Sequence, residues 1–278
     1  MNPTDFDYVT SELKRRSGIV IGREKMYLLE SRLSPLARKE GLSSMEELIT
    51  VVRTRHDERL MKQIVDAMTT NETFFYRDKT PFEHLEKVVF PTLSKARPGH
   101  RIRILSAACS TGQEPYSIAM MLDQNPSLTG GAPVEIVATD ISERVLEKAR
   151  AALYSQFEVQ RGLPIRTLMK YFTQQGEVWK LSDDIRSRVH FRHLNLLDSF
   201  NTLGSFDVVL CRNVLIYFDQ PTKRDILTRL SKQMNENSFL LLGAAETVVG
   251  LTDAFAANKE HRGLYEKAPS RGQGIRAA

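Results

Sequence analysis

Three stretches of the chain combine residue types that can bind a ligand or take part in a reaction. The first is Ala108-Cys109-Ser110-Thr111-Gly112-Gln113-Glu114-Pro115-Tyr116-Ser117. A short apolar run, Ile102 to Ala108, leads into it, and Ile118, Ala119, Met121 and Leu122 follow at helical spacing. The order is strand, tight turn, helix. In an open α/β sheet a ligand sits outside the carboxyl end of such a strand, against the helix N-terminus. Gly112 is expected to let the backbone approach that ligand closely. Glu114 lies just inside the helix start, where a carboxylate repels phosphate and attracts a cation. The turn therefore suits a small, positively charged cofactor, although by itself it suits an ordinary crossover equally well. The G-x-G-x-x-G and G-x-x-x-x-G-K-[ST] patterns are absent, which argues against dinucleotide and P-loop chemistry.

The second stretch is Asn71-Glu72-Thr73-Phe74-Phe75-Tyr76-Arg77. A plain connector does not normally place three aromatic residues together. Two readings are compatible: the aromatics fill a seam between domains, and the polar side chains with Arg77 reach into a ligand cleft. The third set is dispersed. Asp140 follows the strand Val134–Thr139, Asn195 follows Val189–Leu194, and Arg212 and Asn213 follow Phe206–Cys211. An acidic residue at the end of the second strand is placed to bond ribose hydroxyls, although Asp140 and Ser142 also suit a helix N-cap. Glu114, Asp140, Asn195 and Asn213 thus collect at one rim, where the cofactor crevice of such a sheet lies.

The elements that must position these groups follow from periodicity. Residues 1–68 read as a helical domain, with Phe6, Val9 and Leu13, then Leu29, Leu33 and Leu36, then Leu48, Val51 and Val52, then Leu60, Ile64 and Val65 at helical spacing. Gly41 reads as a helix stop and Ser43-Ser44-Met45-Glu46-Glu47 as a fresh start with a capping box. Residues 69–98 form a linker and a connecting helix. Residues 99–268 carry the α/β alternation, interrupted at about 153–187 by a small antiparallel insertion with a hairpin at Gln175-Gly176-Glu177. Residues 269–278 read as a disordered tail.

Composition narrows the function classes. The 278 residues are 41% hydrophobic and 26% charged, a globular balance. No apolar run approaches the roughly 20 residues of a membrane span, and Met1-Asn2-Pro3-Thr4-Asp5 does not open a signal peptide, so no membrane insertion and retention in the cytoplasm are expected. The 2 cysteines, Cys109 and Cys211, lack metal-ligand or C-x-x-C spacing and read as small buried residues, and the 6 histidines are scattered. No metal site is expected. The net charge of +5 favours an acidic partner without choosing one. Lys25, Arg32 and Lys39 recur every seven residues along one side of a helix that Pro35 interrupts, Arg38 lies beside them, and Arg53, Arg55, Arg59 and Lys62 form a second basic group.

Taken together, Asn71–Arg77, Ala108–Ser117, Ala138-Thr139-Asp140-Ile141-Ser142 and Cys211-Arg212-Asn213-Val214-Leu215-Ile216-Tyr217-Phe218 resemble the CheR family, the bacterial chemotaxis receptor glutamate methyltransferases. The likeness runs over about residues 5–267. It implies a class I methyltransferase (Rossmann-like) α/β sheet with a small antiparallel β insertion, preceded by an all-α domain. It also implies S-adenosylmethionine as methyl donor, S-adenosylhomocysteine as product, and glutamate side chains on the cytoplasmic helices of chemoreceptors as acceptors. By motif, Asn71, Thr73, Arg77, Glu114, Asp140, Asn195, Leu196, Arg212 and Asn213 would line the cofactor site, with Arg77 and Tyr217 nearest the reacting methyl. Lys25, Arg32, Arg38 and Lys39 would meet the acidic receptor. In some members a tight loop in the β insertion holds a receptor C-terminal pentapeptide; the segment around Gln175-Gly176-Glu177 is short for that loop, which argues against such a tether.

Three rivals are weighed on residues. A nucleic-acid methyltransferase gains from the basic balance, but amino-group methylation usually shows a D/N-P-P-Y turn where this chain has Arg212-Asn213-Val214-Leu215, and neither cysteine follows a proline as cytosine C5 chemistry needs. No nucleic-acid partner is expected. A non-catalytic cofactor-binding scaffold fits poorly with Arg77, Glu114, Asp140 and Tyr217 all present. An NAD oxidoreductase lacks the glycine fingerprint.

Overall fold

The computed structural model describes residues 1–269; the tail read as disordered lies, from residue 270, outside the described residues. Four helices open the chain: α1 (Pro3–Ser17), α2 (Met26–Lys39), α3 (Met45–Arg55) and α4 (Glu58–Met68). Their termini carry local stop and start chemistry. Asn2 accepts from the Asp5 N–H at 2.8 Å, and Gly18 closes α1 at φ +78°. The capping box of α3 is offset by one residue: Ser44 accepts from the Glu47 N–H at 3.1 Å, while the Glu47 carboxylate accepts from the Ser43 N–H at 2.7 Å. Pro35 does not restart α2, because buried Leu29, Leu33 and Ala37 anchor the helix on both sides of the missing hydrogen bond. Lys25 lies in a 3-10 turn before α2 rather than on it. The four helices share one core, built around Leu13, Leu29, Leu33, Leu48, Ile49 and Ile64.

A nearly continuous helical rod, α5 (Thr80–His84), a π turn (Leu85–Val89) and α6 (Phe90–Ala96), leads into the second domain. That domain runs β1 (Ile102–Ala107), α7 (Gln113–Gln124), β2 (Val134–Asp140) and α8 (Glu143–Ala151). The insertion follows as β3 (Leu153–Ser155), α9 (Gln156–Gln160), α10 (Ile165–Tyr171), β4 (Phe172–Gln175) and β5 (Val178–Leu181). The alternation then resumes with α11 (Asp183–Arg186), β6 (Val189–His193), β7 (Phe206–Cys211), α12 (Gln220–Lys232), β8 (Met234–Leu242), β9 (Phe255–Ala257) and β10 (Leu264–Lys267).

The main sheet has the order β6-β2-β1-β7-β8-β10-β9, and the insertion is a separate sheet, β3-β5-β4. The first five strands of the main sheet pair in parallel, while β10 runs antiparallel to both β8 and β9. Successive residues of the central strands bury opposite faces. Ile102 and Ile104 of β1 join one core, Leu105 and Ala107 the other. Strand order reverses between β1 and β7, which is where the ligand crevice of an open sheet forms. Register brings the three key turns to one level, because Ala107 pairs with both Thr139 and Cys211.

Candidate functional site

The turn after β1 departs from regular backbone. Ala108 and Ser110 have φ of +55° and +53°, and Gly112 has φ +92°. These left-handed turns aim the Ser110 N–H at Asp140, whose Oδ2 accepts it at 2.8 Å; Oδ1 accepts the Ser142 N–H at 2.9 Å. Asp140 is buried, and burial raises its carboxyl above the usual range against the opposing pull of those backbone donors. Ser142, rather than Asp140, N-caps α8 by accepting from the Val145 N–H. Asp140 is thereby held facing the crevice.

Gly112 has a different reason from the one its position suggests. It does not line the crevice. A Cβ there would meet Ala149 Cβ and Tyr116 Cε2 at 3.1 Å and Phe191 Cζ at 3.2 Å, so the glycine serves the turn and the packing of α7 against α8 and β6. Of the turn, Ala108, Cys109 and Ser110 are the residues that line the crevice.

Glu114 is fixed from two sides. Ser106 Oγ donates to its Oε1 at 2.8 Å and Arg212 Nη1 to its Oε2 at 2.7 Å. The Arg212 side chain is almost wholly buried, and its Nη2 also reaches Asp78 Oδ2 at 2.7 Å and the Arg77 carbonyl at 3.0 Å. One guanidinium thus joins the β1 turn, the β7 turn and the linker. Asn213 follows at φ +58°, held by the carboxylate of Glu246, a residue that sequence reasoning did not single out. Tyr217 lies in a short 3-10 turn after it, and its carbonyl accepts from the Val20 N–H at 2.9 Å.

The linker closes the crevice. Ser110 Oγ donates to the Asn71 carbonyl at 2.9 Å, and the Tyr76 N–H to Ser117 Oγ at 3.0 Å. Phe75 is fully buried edge-on to Tyr154 and Phe172, 5.1 and 5.5 Å between ring centroids. The seam it fills is with the β insertion, not with the helical domain. Arg77 Nη1 donates to the Glu72 carbonyl at 2.7 Å and its guanidinium lies over Phe74, 5.6 Å from the ring centroid. Gly162 must be glycine for this arrangement, since a Cβ would stand 2.0 Å from the Phe75 carbonyl oxygen.

The result is a cleft that opens to solvent. Asn71, Thr73, Arg77, Glu114, Asp140, Asn195, Leu196, Arg212, Asn213 and Tyr217 all line it. Asn195 is placed by donating from Nδ2 to the Arg16 carbonyl of α1 at 2.5 Å. Ser17, the last residue of α1, and Ile19, just past it, also reach the cleft, which their sequence context does not signal. Cys109 also lines the cleft but is buried, and burial, with Asp140 and Glu114 nearby, pushes its thiol well above the ordinary value; burial does the same to Cys211. Neither is a thiolate nucleophile. Among the described residues no group of three His, Cys, Asp or Glu side chains stands ready for a metal ion, and no helix is long and apolar enough to cross a membrane.

The basic residues of the helical domain divide. Lys25, Arg38 and Lys39 are exposed. Arg32 is turned inward, donating to the Met68 and Thr69 carbonyls at 2.7 and 2.9 Å and to Thr70 Oγ1 at 2.9 Å, so it anchors the start of the linker. Arg53 and Arg59 pair with Asp5 and Glu40. Helical spacing placed these cations on a surface without showing which of them the fold already engages.

Comparison with known proteins agrees with the geometry. Residues 71–264 match the CheR methyltransferase SAM-binding domain, and residues 4–69 match the CheR methyltransferase all-alpha domain. Chemotaxis protein methyltransferase 1 of Pseudomonas aeruginosa is 46% identical over 268 residues, covering 95% of this chain and 97% of that protein. A chemotaxis protein methyltransferase of Pseudomonas putida is 43% identical over 255 residues, covering 90% of this chain and 93% of the relative. One from Vibrio cholerae is 42% identical over 259 residues, covering 92% and 93%. With both of its domains matched, this chain belongs to the CheR methyltransferase family and is an S-adenosylmethionine-dependent methyltransferase.

Proposed function

We propose that this enzyme methylates glutamate side chains on the cytoplasmic helices of chemoreceptors, leaving methyl esters and S-adenosylhomocysteine. The observation that carries the reading is the convergence of Arg77, Glu114, Asp140, Asn195, Arg212, Asn213 and Tyr217 on one cleft at the reversal of strand order. Its donor set fits the cofactor: the Asp140 carboxylate can accept from ribose hydroxyls, and Glu114 offers negative charge to a cationic group. Asn71, Thr73, Asn195, Leu196, Arg212 and Asn213 complete the wall that would hold it.

Bound there, S-adenosylmethionine supplies an electrophilic methyl group together with its own leaving group. The protein's tasks are the remaining ones. A glutamate carboxylate, with a pKa of about 4.3, is already ionised near pH 7, so no strong general base is required. The two buried thiols, both pushed well above their ordinary value by burial, agree with a reaction that uses no cysteine nucleophile. Positioning and exclusion of water are what the cleft must provide. Arg77, held by the Glu72 carbonyl and the Phe74 ring, would orient the incoming carboxylate. Tyr217 would fix the geometry of the acceptor. Exposed Lys25, Arg38 and Lys39 suit an acidic receptor surface.

The test is transfer of labelled methyl from S-adenosylmethionine to receptor cytoplasmic fragments. Label released by mild base identifies an ester and supports the reading. Base-stable label, or label incorporated into nucleic acid instead, overturns it.

A further inference from the structure

We infer that Glu246 is a positioning residue for the reaction, a buried carboxylate that clamps the loop bearing Asn213 and Tyr217 in its working shape. The inference rests on the assignment of that loop to the cofactor and acceptor site. Glu246 lies past the carboxyl end of β8, and its carboxylate bonds backbone N–H groups. Its two oxygens accept four backbone N–H bonds. Oε2 takes those of Asn213 and Gly243, both at 2.7 Å, and Oε1 takes those of Val214 at 2.9 Å and Leu215 at 2.7 Å. Three successive N–H groups therefore converge on one anion, a concave arrangement that backbone adopts around bound anions and that is filled here from within the chain.

The arrangement has a cost and a beneficiary. Asn213 takes the left-handed conformation, φ +58°, which is disfavoured for a residue with a side chain. A carboxylate receiving charge-assisted bonds on both sides of that residue holds it there. The fold also leaves no slack around the clamp. A Cβ on Gly243 would stand 2.7 Å from Glu246 Oε2, 2.8 Å from Asn213 Nδ2 and 3.0 Å from the Asn213 nitrogen, so position 243 has been kept empty for this contact. Through it, the end of β8 sets the position of the loop after β7, on the cleft's far wall from Asp140.

Two variants probe the clamp in different ways. Glu246→Gln keeps the size but turns an N–H donor toward backbone donors. Gly243→Ala keeps the carboxylate but pushes it. Asp207→Asn serves as a comparison, because it loosens a buried charge at the opposite end of β7 without touching the loop. Binding of S-adenosylhomocysteine is measured by calorimetry, and kcat and KM by labelled methyl transfer, at a temperature where each protein is folded. Each clamp variant is expected to lose about tenfold in S-adenosylhomocysteine affinity and up to about 100-fold in kcat, as small misplacements of a site do. Asp207→Asn is expected to keep both at the native values. If Glu246→Gln does not fold, Gly243→Ala decides. Unchanged affinity and kcat in a folded clamp variant, or equal losses in Asp207→Asn, would overturn the inference. Failure of the unaltered protein to bind S-adenosylhomocysteine would instead remove the site assignment itself.

Discussion

β7 carries a charge cluster at each end, and the two differ in everything except burial. At the amino end, Asp207 is buried and receives Arg97, the Arg103 N–H at 2.8 Å and Asn235 Nδ2 at 2.7 Å. The β7–β8 register shifts there, between Phe206 and Val208, yet Asp207 and its partners Arg97, Arg103 and Asn235 all keep negative φ. At the carboxyl end, Arg212 is buried and joins Glu114, Asp78 and the Arg77 carbonyl, and the residues around it are twisted. Among the described residues nine non-glycine positions have positive φ, and six of them, Tyr76, Asp78, Lys79, Ala108, Ser110 and Asn213, lie in the three segments meeting at Arg212. A buried charge pair alone is thus no mark of function. Buried charge together with strained backbone and open volume is, because strain persists only where the surroundings enforce it.

The largest test of that contrast is Arg212→Leu. Removing the guanidinium leaves Glu114 and Asp78 without their shared partner and removes one of the ties between the linker and the β1 turn. A loss of about 3–5 kcal/mol in stability is expected, with methyl transfer abolished, since breaking a buried pair from one side leaves an uncompensated charge. Denaturant unfolding and an activity assay check both. A variant that keeps full activity would show that the carboxyl-end cluster is as purely structural as its counterpart.

Arg77→Ala separates chemistry from scaffold. Arg77 is half-buried and contributes one side-chain hydrogen bond, so the melting temperature is expected to stay close to the native value. Turnover is expected to fall by about 10²–10³-fold, the scale of losing a preorganised charged donor. Near-native kcat would remove Arg77 from the mechanism.

Asp207→Asn is the mirror experiment at the amino end. It unpairs Arg97, and a cost of about 1–3 kcal/mol is expected with no change in KM for the cofactor. A raised KM would mean that the two ends of β7 communicate, and the contrast would weaken.

How much of this was legible in the residues follows the same division. Strands β1, β2, β7 and β8 announce themselves as apolar runs and β6 as an alternation, Val-His-Phe-Arg-His, and Asp140, Asn195 and Asn213 are placed by standing at their ends. β9 was not foreseen, because its three residues pair only with β10 and carry no pattern long enough to read. Gly112 was assigned to a ligand because its neighbours in sequence say turn, whereas its neighbours in space, Ala149 and Phe191, are set by α8 and β6. Arg32 lies at the spacing of an exposed stripe, yet the linker carbonyls that engage it are more than thirty residues away. Glu246 was invisible for the same reason, since nothing local to it foretells that β8 brings it beside Asn213. Periodicity reports which face a residue shares, and it says nothing of what the rest of the chain lays on that face.

The smallest effect is expected at the rim, where charge is neither buried nor strained. Asp219 caps α12 by accepting from the Thr222 N–H at 3.0 Å and pairs with Lys14 of α1 at 2.7 Å, so it bridges the two domains just beyond Phe218. The Lys14 ammonium, with Thr222, lowers its carboxyl from 3.8 to about 2. A lowered folded-state value means that the charged form is the one the fold prefers. Its stabilisation is present in full above the unfolded value and is lost as pH falls through about 2. Both partners are reached by solvent, and such pairs contribute less than about 1 kcal/mol. Asp219→Asn keeps an acceptor for the cap and loses only the pairing with Lys14. The stability difference between native and variant protein is therefore expected to be small and flat above about pH 4 and to shrink toward zero between about pH 4 and 2, read from urea midpoints across that range. A difference that grew on acidification would reverse the sign of the linkage, and one of several kcal/mol at neutral pH would mean that the domain seam depends on this bridge as the cleft depends on Arg212.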